Sequence, residues 1–101
     1  MRKRNRPPTH PGAIIKYDYL EPLSLSVAEL ARHLDVSRVI ASKIVNERAP
    51  VTADMALRLA KVFNTTPNLW LGLQTQYDLW YAENNTNTWQ NANKFSMPLS
   101  A

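Results

Sequence analysis

The chain has 101 residues, is 45% hydrophobic, carries 12 Lys and Arg against 8 Asp and Glu, and contains no cysteine. That is enough for one domain with an ordinary core, and no apolar run approaches the roughly 18 residues of a membrane span. The basic N-terminus is not followed by an apolar segment, so no secretory signal is expected, and the lack of cysteine removes disulfides and thiolate metal sites and fits a reducing cytoplasm. His10 and His33 fall in different elements with no carboxylates at ligand spacing, so neither a metal nor a cofactor is expected.

The placement of charge says more than its sum. Up to Arg48 there are nine Lys and Arg against five Asp and Glu; from Ala49 onward there are three of each sign. The excess cations thus gather in the first half, which favours a polyanionic partner. Residues 1–9, MRKRNRPPT, are basic and poor in apolar side chains and read as a mobile arm.

Residues 10–83 read as the folded domain. Pro11 suits a first helical turn, and a first helix is predicted from Pro11 to Leu20, ended by Pro22, with Tyr17 or Tyr19 partly exposed. Ser26 and Glu29 form a capping box at the start of the second helix, in which Val27, Leu30, Ala31 and Leu34 make one apolar stripe. Asp35-Val36-Ser37 interrupts, and Ser37 can cap a third helix. There Ile40, Ala41, Ile44 and Val45 take the apolar side, while Arg38, Val39, Ser42, Lys43 and Asn46 take the other.

Two short helices joined by a three-residue turn, the second polar and cationic on its outer side, form the pattern of a DNA-reading helix-turn-helix. Val39 could pack on a thymine methyl, Arg38 could reach guanine or phosphate, Ser42 and Asn46 could meet base edges, and Lys43 could meet a phosphate. The alternative for such a face is plain solvation.

After a loop containing Arg48 and Pro50, Thr52 caps a fourth helix whose Met55, Leu59 and Val62 read as core. Thr66 and Pro67 open a fifth helix running to about Glu83. It carries more aromatic and aliphatic surface than one side of a helix can bury. Trp70, Leu73, Tyr77 and Trp80 are therefore expected at a dimer interface. Gly72 in its middle costs about 1 kcal/mol relative to alanine unless another backbone approaches. Residues 84–101, rich in asparagine, read as an irregular tail in which Trp89 and Phe95 are the exceptions.

HPGAII near the start, LEPLSLSVAELARHLDVSR in the middle, and VTADMALRLAKVFNTTPNLWLGLQTQYDLW after it make the chain resemble the HigA antitoxin family over about residues 10 to 81. The resemblance implies an all-α, five-helix fold of the λ-repressor/Cro-like type, acting as a homodimer on a palindromic operator. It implies autorepression of a toxin–antitoxin operon and neutralisation of a HigB-type toxin, an mRNA endonuclease, by a chain that is not itself an enzyme. Carried over position by position, its DNA-reading residues are Ser37, Arg38, Val39, Ser42, Lys43 and Asn46, and Arg48 in the loop that follows is expected to join them at the DNA. The chain departs from the family pattern at Asp35 and Glu47, where glycine is usual, and at Val27, where glutamine is frequent. Two other functions are compatible with the pattern: a solitary regulator with no toxin, and a protein-interaction module that does not bind DNA.

Overall fold

A computed structural model describes residues 8–96. Among them there are five helices and no strand. Helix α1 starts as Pro11–Ile14, continues as a π-helical stretch Ile15–Leu20 and finishes with Glu21–Leu23. Helices α2 (Val27–Leu34), α3 (Arg38–Val45), α4 (Ala53–Phe63) and α5 (Pro67–Asn85) follow, and a 3-10 turn spans Thr88–Asn91. Most of the expected basic arm, residues 1–7, lies outside the described residues, as does the end of the expected tail, residues 97–101; Pro8 is buried against the body.

The predicted starts of α2 to α5 are the observed ones, because each is set by a local hydrogen bond. The Ser26 hydroxyl accepts from Glu29 N–H at 3.1 Å while the Glu29 carboxylate accepts from Ser26 N–H at 3.0 Å. Hydrogen bonding to the carboxylate, from the Ser26 backbone N–H first and from the Ser26 side chain second, holds the Glu29 carboxyl below its ordinary pKa. Ser37, Thr52 and Thr66 accept in the same way from Ile40, Met55 and Leu69 at 3.1, 3.2 and 3.2 Å.

The first helix does not stop at Leu20. Proline lacks an N–H and its ring crowds the carbonyl four residues back. The wide turns ahead of Pro22 relieve that crowding: Glu21 N–H bonds to Lys16 O, five residues back, so the helix passes through the proline to Leu23. The last helix also outruns its expected end. Thr86 Oγ1 donates to Ala82 O at 2.7 Å and Asn84 Nδ2 to Trp80 O at 2.7 Å, satisfying carbonyls that would otherwise fray. Trp89 donates to Thr86 O at 3.1 Å, which ties down only its own turn, and Phe95 is exposed.

The core gathers Ile15, Leu20, Leu30, Leu34, Ile44 and Leu59 around Trp70. Each such side chain contributes about 1.5–3 kcal/mol by leaving water. Trp70 is 0% exposed, and its indole N–H donates to Thr65 Oγ1 at 2.8 Å. The Tyr19 and Phe63 rings flank it at 5.9 and 6.3 Å. The expectation that Trp70 faces a partner is therefore wrong: it is the centre of the protomer's own core. Helical periodicity cannot say which stripe of an all-round apolar helix turns inward.

Two contacts brace α3 and α5 against the start of α1. Gly12 lies so close to the carbonyl of Ile44 in α3 that a Cβ there would collide with backbone, which makes glycine obligatory. Beside it, His10 caps α1: its Nδ1 accepts from Gly12 N–H at 2.8 Å, and its ring meets Tyr77 of α5 edge-on at 4.7 Å. Burial lowers the His10 pKa, an effect only partly opposed by Glu47 and Asp78. Protonation would place a proton on the very nitrogen that accepts from Gly12. The stability carried by neutral His10 is thus complete above the ordinary imidazole pKa of about 6.5 and lost as pH falls below it through the lowered folded value. Urea denaturation should therefore show the wild type losing more stability between about pH 7.5 and pH 5.5 than His10→Asn, whose amide oxygen can cap without titrating.

Candidate nucleic-acid interface

Helix α3 is short and two-sided. Ala41, Ile44 and Val45, at i, i+3 and i+4, are buried, while Arg38, Val39, Lys43 and Asn46 are exposed and Ser42 is half-buried. Arg38, Val39, Ser42, Lys43 and Asn46 therefore share the side opposite the buried stripe, with exposed Ser37 capping the helix ahead of them and exposed Arg48 following in the loop. Among the described residues the one ion pair within 4.0 Å is Asp54–Arg58, so Arg38, Lys43 and Arg48 are not neutralised by carboxylates.

Ile40 departs from its expected place in the core. It is 46% exposed, next to Val39 at 63%. Helix α1 covers α3 at Ile44, one turn further on, and leaves the first turn of α3 uncovered. The face thus carries two adjacent β-branched side chains flanked by cations, an arrangement suited to thymine methyls beside phosphates or guanines.

Two of the polar side chains are already engaged. Asn46 Nδ2 donates to Ser42 O at 2.9 Å and to Ser42 Oγ at 3.2 Å, so these two residues form one unit held at the end of α3. Ser37 accepts the capping bond from Ile40. Its hydroxyl holds the helix start in place as well as facing outward. A hollow between α1, the start of α2 and the end of α3 brings Lys16 to the same region as Ser24, Ser26 and Asn46. Lys16 is a cation that sequence reading passed over, because nothing in its local pattern links it to a helix start ten residues later. Half-buried Val27 packs on the core instead of presenting a polar group there.

Asp35 and Glu47 occupy left-handed backbone, with φ of 58° and 63°. Both end helices in the same manner. Val36 N–H returns to Ala31 O at 3.1 Å past Asp35, and Arg48 N–H returns to Lys43 O at 2.7 Å past Glu47. These are positions where a Cβ costs about 1–2 kcal/mol. Ser24 and Asn64, at φ of 52° and 55°, close α1 and α4 likewise. The turn before α3 receives outside support from α4: Arg58 Nη1 donates to Leu34 O at 2.7 Å and to Asp35 O at 3.0 Å, while its Nε pairs with Asp54 at 2.7 Å. The loop after α3 is tied to α5, since Gln74 Oε1 accepts from Val51 N–H at 2.8 Å and Gln74 Nε2 donates to Asp78 at 2.9 Å.

A capped, solvent-facing α3 set across a short turn from α2, with α1, α4 and α5 behind it, defines a helix-turn-helix protein of λ-repressor-like fold. Residues 17–70 match the helix-turn-helix family. The chain belongs to that family and, within it, to the HigA antitoxins, a group of DNA-binding regulators and antitoxins rather than enzymes. It is similar to antitoxin HigA-1 of Vibrio cholerae, 35% identical with 98% of this chain and 90% of that one covered. It is 54% identical to an uncharacterised helix-turn-helix transcriptional regulator of Haemophilus influenzae, over 79% of this chain and 75% of the relative. Among solved structures, antitoxin GraA in complex with its operator superposes with a TM-score of 0.81 at 36% identity, covering 96% of this chain and 99% of that one.

Glycine at the end of α3 would relieve the backbone and remove an anion beside Lys43 and Arg48. Glu47→Gly should raise the unfolding free energy by about 1 kcal/mol, read as a higher urea midpoint at unchanged slope.

Proposed function

We propose that the protein is a homodimeric antitoxin that represses its own operon by binding a palindromic operator, works in the cytoplasm, and neutralises a HigB-type toxin. One observation carries the DNA-reading half of this: a helix buried along Ala41, Ile44 and Val45 presents Arg38, Val39, Lys43 and Asn46 together, its cations in no ion pair among the described residues. In such a complex Arg38 makes the bidentate contact to guanine or clasps a phosphate, and Val39, with Ile40 beside it, packs on thymine methyls. Lys43 and Arg48 neutralise phosphates, and Ser37 adds a phosphate contact from the helix start. Asn46, its amide nitrogen held by Ser42, meets the DNA through its amide oxygen. Binding of GraA to its operator supports this use of the fold.

The dimer is proposed on α5. With Trp70 inward, the outward stripe contains exposed Leu69 and Leu79 and half-buried Trp80, while Leu73, half-buried and packed partly against the core, lies at its edge. Tyr77 lies at its margin, stacked on Tyr81 at 4.6 Å, and its phenol is pushed up to about 12, chiefly by burial. Among the described residues nothing lies within 4 Å of where a Cβ of Gly72 would stand on that stripe, which leaves its backbone open to a second helix. Two copies joined there would set their α3 helices in successive major grooves about 34–36 Å apart.

A solitary regulator is the second reading, favoured by the likeness to the Haemophilus influenzae regulator. A small basic open reading frame beside the gene is expected for an antitoxin, and co-expression with its product separates the two: an antitoxin co-purifies with that protein and restores growth, whereas a solitary regulator does neither.

For the DNA-reading face the test is Arg38→Ala. This variant should lose its preference for a palindromic duplex enriched by the wild-type protein over scrambled duplex, a drop of about tenfold or more in anisotropy titrations, with its melting curve unchanged. Wild-type affinity should also fall steeply with salt as counterions are released. Full selectivity in Arg38→Ala would mean that α3 does not read the operator.

A further inference from the structure

We propose that Arg58, on α4 and outside the DNA-facing surface, is a positioning residue that sets the angle at which α3 is presented to DNA; this rests on the reading of α3 given above. The turn between α2 and α3 determines that angle, and it is built on a residue poorly suited to it. Asp35 holds φ at 58° without the freedom of glycine. The two carbonyls at this turn, of Leu34 and Asp35, are the acceptors that Arg58 Nη1 binds, at 2.7 and 3.0 Å. The donor reaches them from more than twenty residues away in sequence, so it ties the turn to a different element. Asp54, one helical turn earlier on α4, holds the guanidinium through Nε at 2.7 Å and fixes the direction of the fork.

Three physical effects act together at this point. A cation at the C-terminal end of α2 is favoured by the helix dipole. Charge-assisted bonds satisfy carbonyls that the end of α2 leaves without helical partners. The planar fork also restricts the turn in a way that a flexible ammonium cannot. Helix α4 packs on α5, the proposed dimer helix. The clamp therefore lies on the route connecting the dimer axis to the reading helix. In a two-fold reader a small change of tilt at the turn displaces both α3 helices from their grooves at once. Specific contacts depend on that placement, whereas non-specific phosphate attraction tolerates its loss.

The test compares the wild type, Arg58→Met, Arg58→Lys and the double variant Asp35→Gly/Arg58→Met. The probe is a duplex enriched from a random pool by the wild-type protein, with a scrambled duplex of equal length, measured well below each variant's melting temperature. Arg58→Met should bind the enriched duplex about tenfold more weakly while binding scrambled DNA within about twofold of wild type. Arg58→Lys should fall between, and the double variant should recover a large part of the loss because glycine takes the left-handed turn unaided. Amide exchange, read without DNA, should accelerate at Val36 to Val39 in Arg58→Met and return towards wild type in the double variant. Equal weakening on both duplexes would make Arg58 a mere phosphate contact and overturn the inference, as would wild-type binding and exchange in Arg58→Met. If the wild type enriches no duplex, the DNA-reading assignment falls and this role with it; if it does and Arg58→Met behaves as wild type, only this role falls.

Discussion

The close approach of Gly12 to the Ile44 carbonyl is the constraint on which the rest of the arrangement depends. It lets the first turn of α1 lie directly on the backbone of α3, so that the reading helix rests on main chain and not on a side chain that could change rotamer. His10 extends the same brace to α5 through Tyr77 and caps α1 with its remaining lone pair. Three residues, His10-Pro11-Gly12, thus join the first, third and fifth helices. Backbone contacts of this kind do not adjust by repacking, because an interior packed to crystal-like density has no slack to absorb even one methyl group.

Around that brace, α3 is held at both ends by long side chains from behind. Arg58 grips the turn before it and Gln74 grips the loop after it at Val51. Both holding residues belong to helices away from the reading face, and both use hydrogen bonds to backbone. The DNA-facing side chains are left exposed for a partner. This division accounts for how the chain accommodates Asp35 and Glu47 at left-handed positions: the backbone cost of about 1–2 kcal/mol at each is offset by closing bonds to Ala31 and Lys43 and, at Asp35, by Arg58.

Helix α5 serves two functions along its circumference. Its inner side supplies Trp70 and Gln74, one filling the core and the other holding the α3–α4 loop. Its outer side, with Leu69, Leu79 and Gly72, is left exposed among the described residues. A helix that is apolar nearly all round must be covered on more than one side, which is why its stripe was legible as excess while its orientation was not.

Local hydrogen-bond grammar was readable from the amino-acid order alone. Ser26, Ser37, Thr52 and Thr66 each mark a helix start because the capping oxygen lies within three residues of the N–H it serves. The composition of α3's outer face was equally legible, since cations and a β-branched residue recur there at helical spacing. Tertiary structure decided the matters that depend on residues far apart in the chain. It placed Trp70 in the core instead of at an interface, exposed Ile40 because α1 meets α3 one turn later, and carried α1 through Pro22 by widening its turns. It also brought Arg58 to the turn beside Asp35 and Gln74 to Val51, across 23 residues in each case. Spacing within a helix encodes which residues share a face; which face turns inward, and which distant carbonyl a side chain reaches, is fixed only when the helices pack.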